Sequence, residues 1–534
     1  MLSLHREPVA SLSSKPTRGR RLLRAIGLSV AAACAVLLWP VDLEAAPHRA
    51  RLSRDLAERL AGASNASGDV IVEADRATVE ALASRYGVRV KRYLRRGAVL
   101  ELNGGQLDAL SQDEAVDHLS TDARVFGMTA VTAVAIGADQ VWLGFEGLRG
   151  LTGRGVGVAV IDSGIDNHPA LRGRVVASVD FTGPRGRGRD QYGHGTHVAG
   201  IIAGREEGEF SGMAPGAHLI NLRVLGEDGS GQTSDVLEAI EWAIEYRDRF
   251  NIRVINLSLG HPVLESYRDD PLCQAVERAV RAGIVVVASA GNFGQTEDGR
   301  SIIGGIVSPG NSPWALTVGA IDTQGTPRRS DDVVASWSSR GPTYIDGVLK
   351  PDVAAPGRRI VSAGAPGSYI WREYPDRQVY GNGASAYFQM SGTSMAAAVV
   401  SGAAALVLQA NRSLTPLDVR FALQLSSTFM PEAGLIGAGA GSVNVVAATE
   451  LVTGRAGRSA GVFTIGGETV RPSVISYADA TVSGGRPVWG DRVIWGNRLT
   501  SSDSIVWSSS IVWSGSIVWS GSTISSDGVE PWAI

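Results

Sequence analysis

The chain has 534 residues, of which 44% are apolar and 19% are charged, and its formal net charge is −3. This length is sufficient for more than one domain, and with only two cysteines the fold has to be stabilised by core packing rather than by disulfides. Because the charge is nearly balanced and no long basic tract follows the N-terminal region, we expect no nucleic-acid partner.

Residues 1–46 have the pattern of an export signal. Several arginines within 18–24 precede an apolar run over 25–39, and small residues follow at 45–46. The run is short for a membrane-spanning helix, so we expect cleavage, with membrane contact only through the signal. The arginine-rich start is compatible with the Sec route or the twin-arginine route, and the mature protein is expected to be secreted or held in the cell envelope.

A small α+β unit is predicted after a linker over 47–68. Hydrophobic patterning indicates strands and helices in alternation, and we place this unit at 69–128. The predicted strands are 69–75, 96–103 and 116–125, and the predicted helices are 76–87 and 104–116.

Residues 129–450 alternate short apolar runs with amphipathic stretches. The runs are rich in Val and Ile, which is typical of strands covered on both faces. They are VGVAVID, HLINLRVL, VINLSLG, IVVVASAGN and ALTVGAI. Strands that alternate with helices predict an α/β domain with a doubly wound, mostly parallel sheet flanked by helices.

Residues 451–534 differ in composition from the rest of the chain. Five tryptophans fall on a six-residue grid: Trp489, Trp495, Trp507, Trp513 and Trp519. Positions six apart share one face of a strand, so we predict a β-rich Gly/Ser/Trp repeat. Two interpretations stay open, a low-complexity tail and a module for self-association or surface contact through 485–522.

Three separated segments place reactive side chains at turns between strands and helices. Asp162 ends a predicted strand, at the edge where α/β proteins bind ligands. His194 opens a helix in YGHGTHVAG, and Ser394 lies at the start of SGTSMAAAVVSGAAAL. A serine hydroxyl needs a histidine base, and that histidine needs a carboxylate to orient it, so the three residues predict a nucleophilic triad. His197, one turn after His194, is expected to be structural.

The same segments resemble the subtilisin-like serine proteases over about 130–450. VIDSGID, HGTHVAG and GTSMA match the motifs of that family in its Asp–His–Ser order. The resemblance implies that Asp162 orients the base, His194 is the general base and Ser394 is the nucleophile. SAGN resembles the oxyanion segment of the family, which implies that Asn292 donates its side-chain amide to the oxyanion.

The resemblance also implies where substrate and ions bind. Segments that resemble the walls of the specificity pocket and the edge that pairs with an extended substrate contain Ser258, Leu259, Gly260, Ala290, Gly291, Gly229, Ser230 and Gly231. Small residues there imply an open, mostly apolar pocket and broad cleavage. Where the family has a calcium-binding Asp this chain has Ala170, so we expect no metal at that site, and no cofactor is implied. In the helix after the Ser motif, the family usually has Pro and His where this chain has Ala398 and Val399.

By position and pattern, the 69–128 unit resembles the inhibitory propeptide of these proteases, which has a ferredoxin-like fold. This resemblance implies an exported zymogen that cuts itself near 126–132 and hydrolyses polypeptides through an acyl-enzyme. Two alternatives stay open: a catalytically silent scaffold that binds or assembles through the Trp repeat, and an esterase or peptide ligase with the same triad. Each triad residue taken alone is more typical of a turn or a helix cap.

Overall fold

The computed structural model describes residues 48–62, 65–122, 124–127, 133–145, 148–183, 188–205, 210–381, 383–454 and 461–478, together with six short strands between 481 and 524. The predicted export signal over 1–46 lies outside these residues. So do positions 128–132 of the predicted cleavage segment and four positions of the tryptophan grid, Trp489, Trp495, Trp507 and Trp513.

The N-terminal part of the chain folds around one sheet. Its elements are β1 (Arg51–Leu52), α1 (Arg54–Ala61), β2 (Gly68–Val72), α2 (Arg76–Tyr86), β3 (Arg89–Leu94), β4 (Gly97–Leu102), α3 (Gly104–Ser111) and β5 (His118–Thr121). The sheet order is β1-β5-β2-β4-β3, with β1 parallel to β5 and the other neighbours antiparallel. From β2 to β5 the element order and the sheet order are those of a ferredoxin-like fold.

Two features of this unit differ from the sequence-based expectation. The predicted linker over 47–68 is wrong for residues 51–61, because β1 and α1 pack on the sheet and Leu56 is 2% exposed in its core. No element was predicted over 88–95, where the structure has β3. That strand lies at the sheet edge with its residues alternately exposed and half-buried, and its many basic residues obscure the apolar pattern.

The rest of the chain up to residue 452 comprises β6 (Arg124–Gly127), the last strand of the N-terminal unit, and the central domain. The elements of the central domain are α4 (Ala138–Leu143), β7 (Gly144–Phe145), β8 (Leu148–Arg149), β9 (Gly157–Asp162), β10 (Val175–Asp180), α5 (His194–Ala203), β11 (His218–Arg223), β12 (Ser230–Gln232), α6 (Thr233–Glu245), β13 (Ile252–Leu257), β14 (Leu259–Gly260), α7 (Pro271–Arg281), β15 (Val285–Ser289), β16 (Leu316–Asp322), β17 (Val333–Val334), β18 (Val353–Pro356), β19 (Ile360–Ala363), α8 (Tyr369–Glu373), β20 (Gln378–Tyr380), β21 (Tyr387–Met390), α9 (Thr393–Ala410), α10 (Pro416–Ser426), α11 (Gly434–Ala438) and α12 (Val445–Val452).

The central sheet has the order β10-β11-β9-β13-β15-β16-β17, and β18 also pairs with β16. Every pair is parallel except β16 with β17. All five apolar runs predicted as strands lie in this sheet, so the prediction of a doubly wound, mostly parallel sheet is confirmed. In β9, Val158 and Val160 pack in the core on the α5 and α9 face, whereas Ala159 and Ile161 pack in the core on the α6 and α7 face.

Helix α9 forms the centre of the larger core. It is 18 residues long and is the one helix among the described residues that is long and apolar enough to cross a membrane, but 89% of it is buried inside the protein. Its contacts are with α5 on one side and with the strands β13, β15 and β16 on the other. A core position therefore explains its apolar composition.

The central domain does not end at residue 450 as predicted, because α12 crosses this boundary and a later segment packs on the core. We call residues 461–478 the C-terminal clasp; it contains β22 (Phe463–Ile465) and the antiparallel β23 (Glu468–Val470). Its buried side chains belong to the main core: Phe463, Ile465, Val470, Ile475 and Tyr477. The Tyr477 hydroxyl, which is fully buried, donates to the Pro351 carbonyl at 2.5 Å.

The described parts of the repeat region are three antiparallel strand pairs. They are β24 (Thr481–Ser483) with β25 (Arg486–Val488), β26 (Leu499–Ser501) with β27 (Ser504–Ile505), and β28 (Ile517–Trp519) with β29 (Ser522–Ile524). Only the last pair contains a tryptophan of the grid, Trp519. The role of this region stays a prediction.

The clasp generates a stability prediction. In the Ser394→Ala background, which removes the predicted nucleophile, a chain that ends at residue 454 should not fold stably, whereas a chain that ends at residue 480 should melt close to the full-length protein. Each large apolar side chain that is fully buried contributes about 1.5–3 kcal/mol, and a whole domain is stable by only about 5–15 kcal/mol. Calorimetry of the three chains checks this; equal melting temperatures for all three would contradict it.

Candidate active site

The carboxylate of Asp162 ends the central strand β9 at the carboxyl edge of the sheet. The residue is 1% exposed, and its Oδ1 accepts a hydrogen bond from the Ser163 backbone N–H at 2.7 Å. The neighbouring strand β13 pairs Leu257 with Ile161, so Ser258 follows at the level of Asp162. Two parallel strands thus deliver one acidic and one hydroxyl residue to the same edge.

The imidazole of His194 contacts Asp162 directly. Its Nδ1 lies 2.7 Å from Asp162 Oδ1, and both side chains are 1% exposed. A carboxylate only accepts hydrogen bonds, so Nδ1 is the donor and Nε2 is left as the basic nitrogen of the neutral ring. The close approach depends on Gly195, where a Cβ would lie 2.2 Å from the Gly164 carbonyl oxygen.

A buried carboxylate that the motif analysis did not single out, Asp190, holds the start of α5. It accepts hydrogen bonds from the backbone N–H groups of Gly193 at 2.6 Å and Thr196 at 2.8 Å, and from the Ser163 hydroxyl at 2.8 Å. Burial raises the pKa of Asp190, and the hydrogen bonds partly offset this. Asp190 thereby couples the helix that carries His194 to the residue beside Asp162. The signal in the sequence is an Asp shortly before a helix start, which is typical of a cap.

Ser394 is the second residue of α9 and is 1% exposed. Its Oγ donates to the Ser258 carbonyl at 3.1 Å, and its own carbonyl accepts from Ser258 Oγ at 2.8 Å. Because Ser258 lies at the level of Asp162, the structure brings all three predicted triad residues to one edge of the sheet.

A chain of buried hydrogen bonds supports this reciprocal contact. The Asn256 amide donates to Ser258 Oγ at 2.8 Å, and Asn256 Oδ1 accepts from Ser401 Oγ at 2.8 Å. Ser401 lies two turns after Ser394 on α9, so the chain ties the helix to the end of β13 at two points. Sequence reasoning did not single out Asn256 or Ser401, because their contacts join segments far apart in the chain.

The predicted oxyanion residue Asn292 follows β15 and lies against Thr393. Its Oδ1 accepts from both the backbone N–H and the hydroxyl of Thr393, each at 3.0 Å. The Thr393 Oγ1 in turn accepts from the Gly291 N–H at 3.1 Å. Since the carbonyl end of the amide faces Thr393, its NH2 end is directed away from that residue. Thr393 therefore orients the amide of Asn292 beside the start of α9.

The predicted substrate edges form a groove that already contains a strand. β6 pairs antiparallel with β12 on one side and with β14 on the other. Phe126 lies opposite both Ser230 and Gly260, and Gly127 lies opposite Leu259. The segments around 229–231 and 258–260 thus flank one extended strand, as expected for edges that bind a peptide by strand addition.

The remaining predicted pocket residues, Ala290 and Gly291, both lie close to Val307: the Ala290 carbonyl accepts from the Val307 N–H at 3.1 Å, and Gly291 faces the Val307 side chain. A Cβ at Gly291 would lie 2.8 Å from Val307 Cγ1, and a Cβ at Gly260 would lie 2.7 Å from Val307 Cγ2. Val307 is 5% exposed. Its methyl groups therefore fill the space between the two glycines.

His197 is fully buried one turn after His194. Its Nε2 lies 2.9 Å from the Phe388 carbonyl oxygen and therefore donates to it. Burial lowers the pKa of His197 to about 3, so the ring is neutral. These contacts agree with a structural role.

Within the described ranges, no group of three or more His, Cys, Asp or Glu side chains is arranged to bind a metal. Ala170 is 4% exposed in the short turn Pro169–Leu171, where its N–H donates to His168 Nδ1 at 3.2 Å. The position contributes no oxygen ligand from its side chain. The expected lack of calcium there stays a prediction.

The cap at Asp190 generates a prediction in the Ser394→Ala background. Asp190→Asn should lower the free energy of unfolding by about 1–3 kcal/mol, because an amide has one acceptor oxygen for three buried donors. Asp248→Asn is the matched control, since that side chain is 87% exposed. Urea unfolding measures both. Equal stability of the two variants would show that Asp190 does not hold α5.

Comparisons with known proteins agree with this geometry. A model of the subtilase family matches residues 153–454. Serine protease AprX of Bacillus subtilis (strain 168) is 43% identical over 302 residues, which cover 55% of this chain and 66% of AprX, just under two thirds of it. Subtilisin Savinase of Lederbergia lenta is 38% identical over 302 residues, covering 56% of this chain and 93% of Savinase.

A solved structure shows a similar fold. Fervidolysin from Fervidobacterium pennivorans superposes with a TM-score of 0.56 and 24% identity, covering 76% of this chain and 63% of fervidolysin. At this identity the likeness concerns the fold alone. The family model matches more than half of the chain and lies on the domain that contains Asp162, His194 and Ser394. The chain therefore belongs to the subtilase family, a family of serine endopeptidases.

Proposed function

We propose that this chain is an exported serine endopeptidase, made as a zymogen that processes itself and cleaves polypeptides with a broad, mostly apolar preference. In this proposal Asp162 orients the base His194, Ser394 is the nucleophile and Asn292 stabilises the oxyanion. The observation that carries the proposal is the buried 2.7 Å contact between His194 Nδ1 and Asp162 Oδ1, with Ser394 held at the end of the adjacent strand.

The proposed reaction has two stages, acylation and deacylation of Ser394. His194 Nε2 takes the Ser394 hydroxyl proton as Oγ bonds to the substrate carbonyl carbon, and the oxyanion accepts from the Ser394 N–H and the Asn292 amide. His194 then gives the proton to the leaving amine as the C–N bond breaks, which leaves an acyl group on Oγ. A water molecule deprotonated by the same nitrogen attacks the acyl carbon. As the bond between that carbon and Ser394 Oγ breaks, the proton returns to Oγ and the carboxylic acid product leaves.

The N-terminal unit is proposed to inhibit the enzyme by occupying the substrate groove. Gly127, the last residue of β6, lies opposite Leu259, the residue that follows Ser258. The Ser258 carbonyl accepts from Ser394 Oγ. We therefore expect the first cleavage at the bond between Met128 and the residue after it.

Polar contacts support docking of this unit on the helices α6 and α7. Asp122 accepts from the N–H and the hydroxyl of Ser234 at the start of α6, at 2.7 and 2.6 Å. His118 Nε2 lies 2.5 Å from Glu265 Oε2, just before α7, and Arg92 pairs with Asp235. Gln232, at the N-cap position of α6, makes no capping hydrogen bond with its own side chain. Asp122 of the N-terminal unit supplies that hydrogen bond instead.

The position of Val307 supports a mostly apolar preference. The two pocket walls, at Gly260 and Gly291, are close to its methyl groups. The floor between them is therefore apolar and shallow, and it offers no charge to a lysine or arginine side chain of the substrate. Small and medium apolar side chains just before the scissile bond fit such a pocket best.

Export is proposed from the arginines and apolar run of residues 1–46. In the same proposal the repeat over 485–522 contributes self-association or surface contact after export. Several relatives carry the names subtilisin or alkaline protease, including Alkaline protease of Alkalihalobacillus alcalophilus, 36% identical over 66% of this chain.

The self-processing prediction is tested by intact mass. The wild-type protein, expressed without residues 1–46, should lose its N-terminal unit by a cut after Met128, while Ser394→Ala should keep that unit because it lacks the nucleophile. Ser258→Ala is a useful comparison with Ser394→Ala. It keeps the Ser394 nucleophile and removes only the hydroxyl that donates to the Ser394 carbonyl. Removal of the unit from purified Ser394→Ala at the wild-type rate would contradict the proposal.

Docking of the N-terminal unit should weaken as the pH rises. Burial raises the pKa of Asp122 from 3.8 to about 6, and burial also raises the pKa of Asp235 and Glu265. The docked state therefore binds protons more tightly than the released state. Its affinity is highest below about pH 4 and falls as the pH rises through 6.

The measurement is the rate at which the cleaved unit leaves the complex, followed by size exclusion between pH 4.5 and 7.5. The release should be faster at pH 7.5, and Asp122→Asn should reduce the difference between the two pH values. The control is Asp248→Asn, which changes an exposed carboxylate outside the interface. Faster release at pH 4.5 would contradict the assigned direction.

A further inference from the structure

Three aromatic rings are neighbours in the order His194, Tyr192, Tyr369. The ring centroid of Tyr192 is 6.4 Å from that of His194 and 5.9 Å from that of Tyr369, with the two tyrosines stacked at an interplanar angle of 17°. Tyr369 is 41% exposed, so this series of rings extends from the proposed catalytic base to the surface. The proposed reaction gives neither tyrosine a role.

The Tyr192 ring also contacts the edge that binds the extended strand. A Cβ at Gly229 would lie 2.3 Å from Tyr192 Cζ. Ser230 lies opposite Phe126 and Gly231 opposite Val125, and the pairing ends there, because Gly229 has a φ of 75° and lies outside β12. Gly127, the residue after Phe126 in β6, therefore lies next to the bend at Gly229. A substrate residue in the place of Gly127 is thereby brought close to the Tyr192 ring that packs on Gly229.

Tyr369 belongs to α8, and this helix is fastened on both sides of the same edge. The backbone N–H groups of Tyr369 and Ile370 donate to the carbonyls of Gln191 at 2.8 Å and Tyr192 at 3.0 Å. On the other side Arg372 forms an ion pair with Glu227 at 3.3 Å, shortly before Gly229. These contacts fix the stacked rings of Tyr192 and Tyr369 beside the groove.

We propose that Tyr192 and Tyr369 form an aromatic subsite for the substrate residue two positions before the scissile bond, selecting an aromatic or large aliphatic side chain there. This inference rests on the proposed peptidase activity and on the expected cut after Met128. An apolar side chain at that position covers the Tyr192 ring and extends to Tyr369, which removes apolar surface from water. The N-terminal unit has Gly127 at this position and leaves the subsite to incoming substrates.

The test compares two fluorogenic peptides that differ only in the residue two positions before the scissile bond, Phe or Ala. The processed wild-type enzyme should cleave the Phe peptide with the higher kcat/KM. Tyr369→Ala should reduce the Phe-to-Ala ratio of kcat/KM by about 2- to 12-fold, the size expected for one aromatic contact, mainly through KM. Tyr369→Phe keeps the ring and should keep the ratio.

Tyr344→Ala is the matched control, because this tyrosine is 64% exposed and lies outside α8. Equal cleavage of both peptides by the wild-type enzyme would overturn the inference, whether or not the variants fold. An unchanged ratio in Tyr369→Ala would also overturn it, as would an equal loss on both peptides, which indicates a structural role. If the wild-type enzyme cleaves neither peptide nor any other, the proposed function fails instead.

Discussion

The hydrogen bond between His194 Nδ1 and Asp162 Oδ1 is the contact on which the account of this site depends. It lies where water is excluded, so the carboxylate decides which ring nitrogen carries the proton and which is basic. Much of the surrounding structure holds these two groups in place. β9 delivers Asp162 from a strand buried on both faces, and Asp190 fixes the helix start that carries His194. The pair of contacts between Ser394 and Ser258 ties the third residue to the next strand.

In the proposed mechanism, the same edge of the sheet serves both chemistry and substrate binding. Ser258, whose carbonyl accepts from Ser394 Oγ, is followed directly by β14. The segment that contacts Ser394 therefore continues into one wall of the groove. Tyr192 lies two residues before His194 and contacts the other wall at Gly229. In this proposal, substrate binding and catalysis therefore depend on the same short stretches of backbone.

The central sheet could be predicted, and the triad proposed, because their signals are local. A strand buried on both faces reads as a continuous Val/Ile run, and Asp162, His194 and Ser394 each lie in a short motif. The β3 strand could not be predicted, because an edge strand needs few apolar residues and this one carries several basic side chains. The C-terminal clasp, the Asn256–Ser401 contact and the Tyr192–Tyr369 stack join segments far apart in the chain, and no local pattern reports such contacts.

The most direct test of the central claim is to locate the adduct of an organophosphorus serine reagent in the processed protein by peptide mass spectrometry. Such reagents modify a serine hydroxyl only where a base and an oxyanion site activate it. The account predicts a single adduct on Ser394, and no adduct on that residue after the protein is unfolded. An absent adduct on Ser394 in folded, processed protein, or equal labelling of folded and unfolded chains, would contradict an assembled triad.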